Sequence, residues 1–371
     1  MGASRIYVNG RFVTQPLTGV QRYALEVTLR LRARVSIIVP SIPLPAYRAL
    51  EQNAEVLGGG WSRRGALGHL WEQAILPFRI PRGELIWSPC GVGPLLKTRQ
   101  VVTIHDLATL EHAEWFNSFF SSWYRSLIPK LVRRVHKIIA VSEFTKQRLV
   151  NLLNVDQGRI SVIRNGVDAQ FSPRSKDEVA YAKKVLGIPT SHYVLSLGSL
   201  EPRKNLRRLL QAWERVQGEI PEEVWLVVAG AKGKSLVFRD ISFDRLPPRV
   251  YLTGYVPDKY LPALYSGALA FAYVSVYEGF GLPPLEAMAS GTPPLTGNQT
   301  ALPEVVGDAG LMVDPYDIEA IAWGLKRLVE DSALREELRR KGLERAKRFS
   351  WDKTAELTWK VLQEAAQDGQ L

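Results

Sequence analysis

The strongest constraint on this chain is an alternation that runs from one end to the other. Short β-branched runs recur, and stretches with helical apolar spacing separate them. In the first half, Arg5–Val8, Val35–Val39, Leu85–Trp87, Val101–Ile104, Lys137–Val141 and Ile160–Ile163 read as strands. Val20–Leu31, Ser118–Val135 and Ser142–Leu153 read as helices between them. In the second half, strands at Tyr193–Leu197, Val224–Ala229, Val250–Leu252, Leu269–Tyr273 and Leu311–Val313 alternate with helices near 203–217, 257–265, 283–290 and 317–330. Strands joined by helix-length crossovers form parallel sheets covered on both faces. Two such series exceed one open sheet, so the expected class is α/β, with two facing doubly wound domains. The boundary is expected in Asp168–Pro189, where a turn-rich, charged stretch follows the last strand of the first half. A closing helix is expected over Ser350–Gln367, with Ser350 as its N-cap.

Composition narrows the function classes. With 46% hydrophobic and 23% charged residues, the 371-residue chain is ordinary globular protein. Its longest apolar run, Ala268–Val274, is far short of the roughly 20 residues of a membrane span. A single cysteine, Cys90, excludes an internal disulfide and a multi-cysteine metal site. The expected setting is cytoplasmic. Charge is uneven: residues 1–180 hold 24 Lys+Arg and 13 Asp+Glu, leaving 48 − 24 = 24 and 37 − 13 = 24 for the rest. The whole net charge of +11 therefore sits in the first half. That asymmetry points to an anionic partner: nucleic acid, an acidic membrane surface or an acidic substrate. No helix-turn-helix, RNA-binding or zinc pattern accompanies it, which argues against nucleic acid.

In doubly wound sheets, ligands bind beyond the carboxyl ends of strands, and four such places carry candidate chemistry. After Tyr193–Leu197 comes Gly198-Ser199-Leu-Glu201-Pro202-Arg203-Lys204-Asn205, where Pro202 is placed to open a helix. Arg203 and Lys204 then fall in its first turn, where cations oppose the helix dipole unless they hold an anion such as a phosphate. After Leu269–Tyr273 comes Glu278-Gly-Phe280-Gly281-Leu282-Pro-Pro-Leu-Glu286. Two carboxylates near one helix N-terminus suit vicinal hydroxyls, and the glycine amides suit a diphosphate. The third place, Leu17-Thr-Gly19-Val20, is a single-glycine phosphate-type turn. The fourth is His105-Asp106, at the end of Val101–Ile104, where a histidine can serve a reacting centre. The chain contains no Asp-x-Asp pair, no His/Cys cluster with metal-ligand spacing, no P-loop and no Gly-x-Ser-x-Gly elbow.

At these motifs the chain resembles the family-4 retaining glycosyltransferases. The resemblance runs through Thr18-Gly19-Val20, His105-Asp106, Ala140-Val-Ser142-Glu-Phe-Thr, Asn165-Gly166-Val167-Asp168, Glu201-Pro-Arg-Lys204-Asn and Gly254-Tyr-Val256-Pro-Asp. Its most specific element is the Glu-x7-Glu signature of Glu278 and Glu286. The resemblance implies the GT-B fold of two Rossmann-like domains: an acceptor-side domain over 1–172, a nucleotide-sugar domain over 173–349, and a terminal helix over 350–371 returning to the first.

It also implies roles. Lys204 and Arg203 neutralise the donor diphosphate, with Gly19 offering an amide across the cleft. Glu278, with the amides of Phe280, Gly281 and Leu282, holds the donor sugar, and Glu286 holds the ribose. The backbone at Tyr255 and Val256 meets the base, and His105 lies at the reacting centre. Many relatives carry arginine where Ser199 stands, and Arg203 is expected to compensate. No cofactor and no metal is expected.

The motif style is similar to bacterial mannosyltransferases of polysaccharide assembly, which implies GDP-mannose as donor, with a UDP-hexose as the alternative. The acceptor is expected to be a glycan or a polyprenyl-diphosphate-linked saccharide. The basic half would then face that acceptor or an anionic membrane, through Trp61–Arg82 or Phe119–Lys137. A non-catalytic polyanion-binding protein is the reading from a different class.

Overall fold

The computed structural model describes residues 5–57, 65–199, 201–230 and 246–368. The chain divides into two compact units. The first comprises Met1–Leu107, Trp123–Gly166 and Ser350–Leu371, and the second Ala108–Ser122 and Val167–Phe349.

Among the described residues the first unit carries a seven-stranded parallel sheet. Its strands are β1 (Ile6–Asn9), β2 (Ser36–Val39), β3 (Ala54–Val56), β4 (Leu85–Ser88), β5 (Gln100–Ile104), β6 (Lys137–Ala140) and β7 (Ile160–Val162). Their order is β3-β2-β1-β4-β5-β6-β7. The second unit carries β8 (His192–Leu197), β9 (Val224–Ala229), β10 (Val250–Gly254), β11 (Ala270–Tyr273), β12 (Pro294–Gly297) and β13 (Leu311–Val313), ordered β10-β9-β8-β11-β12-β13. Each sheet is wound outward in both directions from its first strand. The strand order therefore reverses between β1 and β4, and between β8 and β11, where a doubly wound sheet opens its ligand crevice. The expected α/β class with two Rossmann-like sheets is the observed one.

Local differences from the sequence expectation have physical causes. β12 is a fully buried Pro-Leu-Thr-Gly. Proline is tolerated there because it opens the strand. β3 is a three-residue edge strand, too short for a pattern. The charged stretch expected as a boundary loop contains a helix, Lys176–Leu186, fixed by a Ser175/Glu178 capping box and ended by left-handed Gly187. Only one side chain of that helix, Ala182, is buried, so its sequence lacks an apolar stripe.

The core of the second unit follows helical spacing closely. Leu206, Leu209, Leu210, Trp213 and Val216 of one helix pack with Ile321, Leu325 and Leu328 of another against Leu226 and Val228 of β9. Trp213 is fully buried, and truncating such a side chain costs about 3–5 kcal/mol. In the first unit, the terminal helix Trp351–Gln367 is capped by Ser350, as its sequence predicts. It docks where Gly166 leaves room: a Cβ there would lie 2.2 Å from the Trp351 nitrogen. Thr354 donates to the Arg164 carbonyl at 2.7 Å beside it.

At the β1/β4 switch point the first unit holds a buried ion pair. Arg11 Nε lies 3.2 Å from Glu72 Oε1, and Asn9 donates to the same oxygen at 2.6 Å. Burial pushes the Glu72 carboxyl up, but Arg11, His69 and Asn9 together bring it below its ordinary value.

The two segments nominated for an anionic surface differ. Trp61–Arg64 lies outside the described residues, while Trp71, Leu76 and Ile80 are buried and Leu70 and Phe78 exposed. In 119–137, Leu127, Ile128, Leu131, Val132 and Val135 are buried and Phe119 is exposed. No described helix is long and apolar enough to cross a membrane.

Candidate active site

The site of the second unit is assembled at its switch point, from the loops that follow β8 and β11. The β8 loop departs from the sequence expectation. Pro202, Arg203 and Lys204 form a 3-10 turn, not the first turn of the helix. Asn205, at φ 59°, breaks that turn, and the helix Leu206–Val216 starts behind it. Asparagine tolerates this left-handed conformation, and its side chain gives it a second reason to be there. Asn205 Nδ2 donates to the Val274 carbonyl at 3.0 Å and to the Pro315 carbonyl at 2.6 Å. The Val276 amide donates to the Arg203 carbonyl at 2.9 Å. The turn is thereby stitched to the end of β11, and the two cations precede the helix and lie outside its first turn.

The β11 loop supplies the carboxylates. Gly281, at φ 116°, makes the left-handed turn that opens the helix Leu282–Ala289, with Pro283 and Pro284 following at its start. A side chain at Gly281 would also press on Leu302 at 2.9 Å. Phe280 is buried, its ring 6.0 Å from that of Phe349. Glu286 lies in the second turn of the helix and accepts a hydrogen bond from the Tyr265 hydroxyl at 3.1 Å.

Glu278 is the electrostatic centre of the site. Its Oε1 lies 2.7 Å from Lys204 Nζ, and its Oε2 lies 3.1 Å from Arg203 Nη1. The Tyr273 hydroxyl donates to Oε1 at 2.9 Å and accepts from Lys204. Arg203 also pairs with buried Glu201 at 2.8 Å. Burial alone would push the Glu278 carboxyl up. Lys204 and Arg203 outweigh it and hold the group down at about 2. Burial, then Arg203, pushes the Lys204 ammonium down against the pull of Glu278 and Glu201. Glu278 and Glu201 balance the two cations, so a polyanion entering the site would have to take Arg203 and Lys204 from these carboxylates.

Two family models divide the chain between them. Residues 180–345 match that for group 1 glycosyl transferases and residues 17–171 that for glycosyltransferase family 4. O-antigen chain mannosyltransferase B of Escherichia coli is 31% identical over 92% of this chain and 94% of its own length. The chain belongs to glycosyltransferase family 4.

A second relative of this family 4 glycosyltransferase is the serotype-specific mannosyltransferase WbdA of Escherichia coli, 29% identical over 95% of the chain. The chain spans 44% of that protein's length. Solved structures share the fold. Anabaena HepE in complex with UDP and glucose matches with TM-score 0.72 at 17% identity, covering 97% of this chain and 99% of that one. WaaG, a glycosyltransferase involved in lipopolysaccharide biosynthesis, matches with TM-score 0.72 at 15% identity, covering 95% and 98%. The fold is GT-B, and the enzyme is a hexosyltransferase.

Among the residues nominated in this glycosyltransferase, Arg203, Lys204 and Glu278 meet within hydrogen-bond reach. Ser199 is exposed on the β8 loop, and its neighbour Leu200 lies outside the described residues. After β10, Tyr255 is 72% exposed while Val256 is buried. Gly19 and His105 belong to the first unit. Gly19 opens the helix Gly19–Leu31 behind Thr18. His105 Nε2 lies 2.7 Å from the Pro89 carbonyl, and its ring meets Tyr23 edge-on at 4.9 Å. Burial pushes its pKa down against that carbonyl and Asp106, so the ring is neutral near pH 7 with its proton on Nε2. The motif after Tyr193–Leu197 contains Glu201 and Asn205 without giving them a role, and Tyr273 and Tyr265 escaped the sequence reading. A tyrosine in a buried strand or helix reads as core, and only the fold shows each hydroxyl facing a carboxylate.

Proposed function

We propose that this enzyme transfers a mannosyl group from GDP-mannose, with retention of configuration, to a glycan or lipid-linked saccharide. The observation that carries the reading is the Arg203–Lys204 pair gathered on Glu278 at the β8/β11 switch point. A nucleoside diphosphate leaving group gains negative charge as its bond to the sugar breaks, and preorganised cations stabilise that charge as it develops. In this reading the anomeric carbon–phosphate oxygen bond breaks and a bond to the acceptor oxygen forms on the same face. The acceptor's hydroxyl proton passes to an oxygen of the departing diphosphate. Lys204 and Arg203 supply the positive charge, and no step invokes a metal. Glu278 and Glu286 take hydroxyl groups of the sugar and ribose, with the amides of Phe280, Gly281 and Leu282 beside them.

The choice of mannose is supported by the likeness to O-antigen chain mannosyltransferase B over 92% of the chain, and GDP as its carrier rests on the motif style. A thermal-shift panel of GDP, UDP and ADP tests it, because a ligand that binds only the folded state raises the unfolding temperature. Stabilisation by GDP is expected. Stabilisation by UDP alone would transfer the assignment to a UDP-hexose. The basic first half is assigned to an anionic acceptor or membrane face, with exposed Leu70 and Phe78 beside Arg79 and Arg82. Equal binding to anionic and neutral vesicles at low salt would remove the membrane from that assignment.

A further inference from the structure

Tyr273 touches the cation and the anion of the site at once. It ends β11, is buried, and its ring packs 5.6 Å from Phe271, which in turn lies 5.2 Å from Tyr265. Its hydroxyl accepts from Lys204 Nζ and donates to Glu278 Oε1. A phenol has one hydrogen to give and lone pairs to receive, so one neutral group serves both charges. Lys204 Nζ also lies 4.8 Å from the centre of the ring, so a phenylalanine would keep that cation–π contact and lose both hydroxyl hydrogen bonds. The aromatic row fixes the ring, and the ring fixes the hydroxyl.

We propose that Tyr273 is a positioning residue that holds Lys204 and Glu278 in register and keeps Glu278 aimed when Lys204 turns to a diphosphate. This deepens the donor assignment above and rests on it. Without a donor, Glu278 is the anion that Lys204 and Arg203 share. An arriving diphosphate competes for the same two cations, and each contact it gains loosens one on Glu278. Tyr273 and its O–H donation stay in place during that exchange. The carboxylate therefore keeps one fixed partner while its charge partners change. Tyr265 stands in a matching relation to Glu286, donating at 3.1 Å. Its ring meets Phe271 edge-on, on the other side of the aromatic row from Tyr273.

The test is Tyr273→Phe in the full-length enzyme, which keeps the ring and removes only the hydroxyl. The expected result is a kcat lower by about tenfold or more with the donor KM within about threefold. Nucleoside diphosphate binding by calorimetry should stay near wild type. The alkaline limb of kcat/KM, which reports the free enzyme, should move to lower pH. Lys204 would have lost an acceptor while Arg203 still repels it, with Glu278, Glu201 and the face of the retained ring opposing that. Added to Glu278→Gln, the same change should cost little more, because it acts through that carboxylate. Wild-type kcat with an unmoved alkaline limb, or fully additive losses, would overturn the proposal. A packing role would lower the unfolding temperature and leave kcat and the pH profile alone. Should Tyr273→Phe fail to fold, 3-fluorotyrosine at position 273 preserves the shape with a weaker acceptor oxygen. The alkaline limb should again move to lower pH, and an unmoved limb would overturn the proposal. Wild-type enzyme that neither binds a nucleoside diphosphate nor turns over a nucleotide sugar would sink the donor assignment instead.

Discussion

The Lys204 ammonium lies 2.7 Å from the Glu278 carboxylate, inside a site where both side chains are largely buried. The pair joins the two loops that leave β8 and β11, so the cation of one loop is stored on the anion of the other. In the proposed function a donor diphosphate takes Lys204 from Glu278, and that exchange sets what each change at the site should do.

Lys204→Ala should lower kcat by about 100-fold or more, the scale of losing one preorganised charge-stabilising group. Turnover of the nucleotide sugar by a variant with a wild-type circular dichroism spectrum measures it. Near wild-type turnover would remove Lys204 from the chemistry.

Glu278 links the site to acid stability. Its carboxyl is held at about 2, below an ordinary carboxylate, by Lys204 and Arg203 against burial. A depressed acid contributes stability above its unfolded pKa and loses it as pH falls through the folded one. The contribution is present above about pH 4.5 and should fade toward pH 2, amounting to at most about 3 kcal/mol. Urea unfolding between pH 7 and pH 3 should show this slope in the wild type and a shallower one in Glu278→Gln.

Glu72→Gln should be among the most damaging single changes in the first unit. Glu72 and Arg11 are both buried, and removing one charge strands the other at a cost of about 3–5 kcal/mol. Thermal unfolding should drop sharply, and Arg11→Met with Glu72→Leu should recover much of the loss. A Glu72→Gln variant as stable as wild type would mean that the pair is not buried in solution.

The Tyr277 hydroxyl donates to Glu111 Oε2 at 2.6 Å, and the ring of Tyr277 meets His112 at 5.4 Å and Trp115 at 6.3 Å. Residues 108–122 thus anchor on the residue next to Glu278, which explains why they group with the second unit. Tyr277→Phe removes a bond to a charged group, worth about 1.5–3 kcal/mol. Amide exchange across 108–117 should accelerate about tenfold or more by that arithmetic. Unchanged protection would show that the aromatic contacts alone hold the segment.

Particular elements show how far the sequence can be read. The helix Leu206–Val216 is legible because its apolar residues recur at helical spacing and a sheet waits under them. Helix Lys176–Leu186 and strand β12 are not. The first buries almost nothing, and the second is a buried run bracketed by proline and glycine. Motif spacing likewise points to Arg203, Lys204, Glu278 and Glu286, yet misplaces the cations. Asn205 breaks the chain into a left-handed turn that an unbroken helical pattern conceals.

By itself the sequence determined the α/β class, the parallel winding and the loops in which chemistry gathers. Strand and helix periods and the residues at strand ends are local properties. Only the tertiary structure decided which charges meet: Lys204 and Arg203 on Glu278, Arg11 on Glu72, Tyr277 on Glu111. These partners lie 61 to 166 residues apart in sequence or on different loops. Coulomb and hydrogen-bond energies depend on distance and burial in space, and neither is written in the order of the chain.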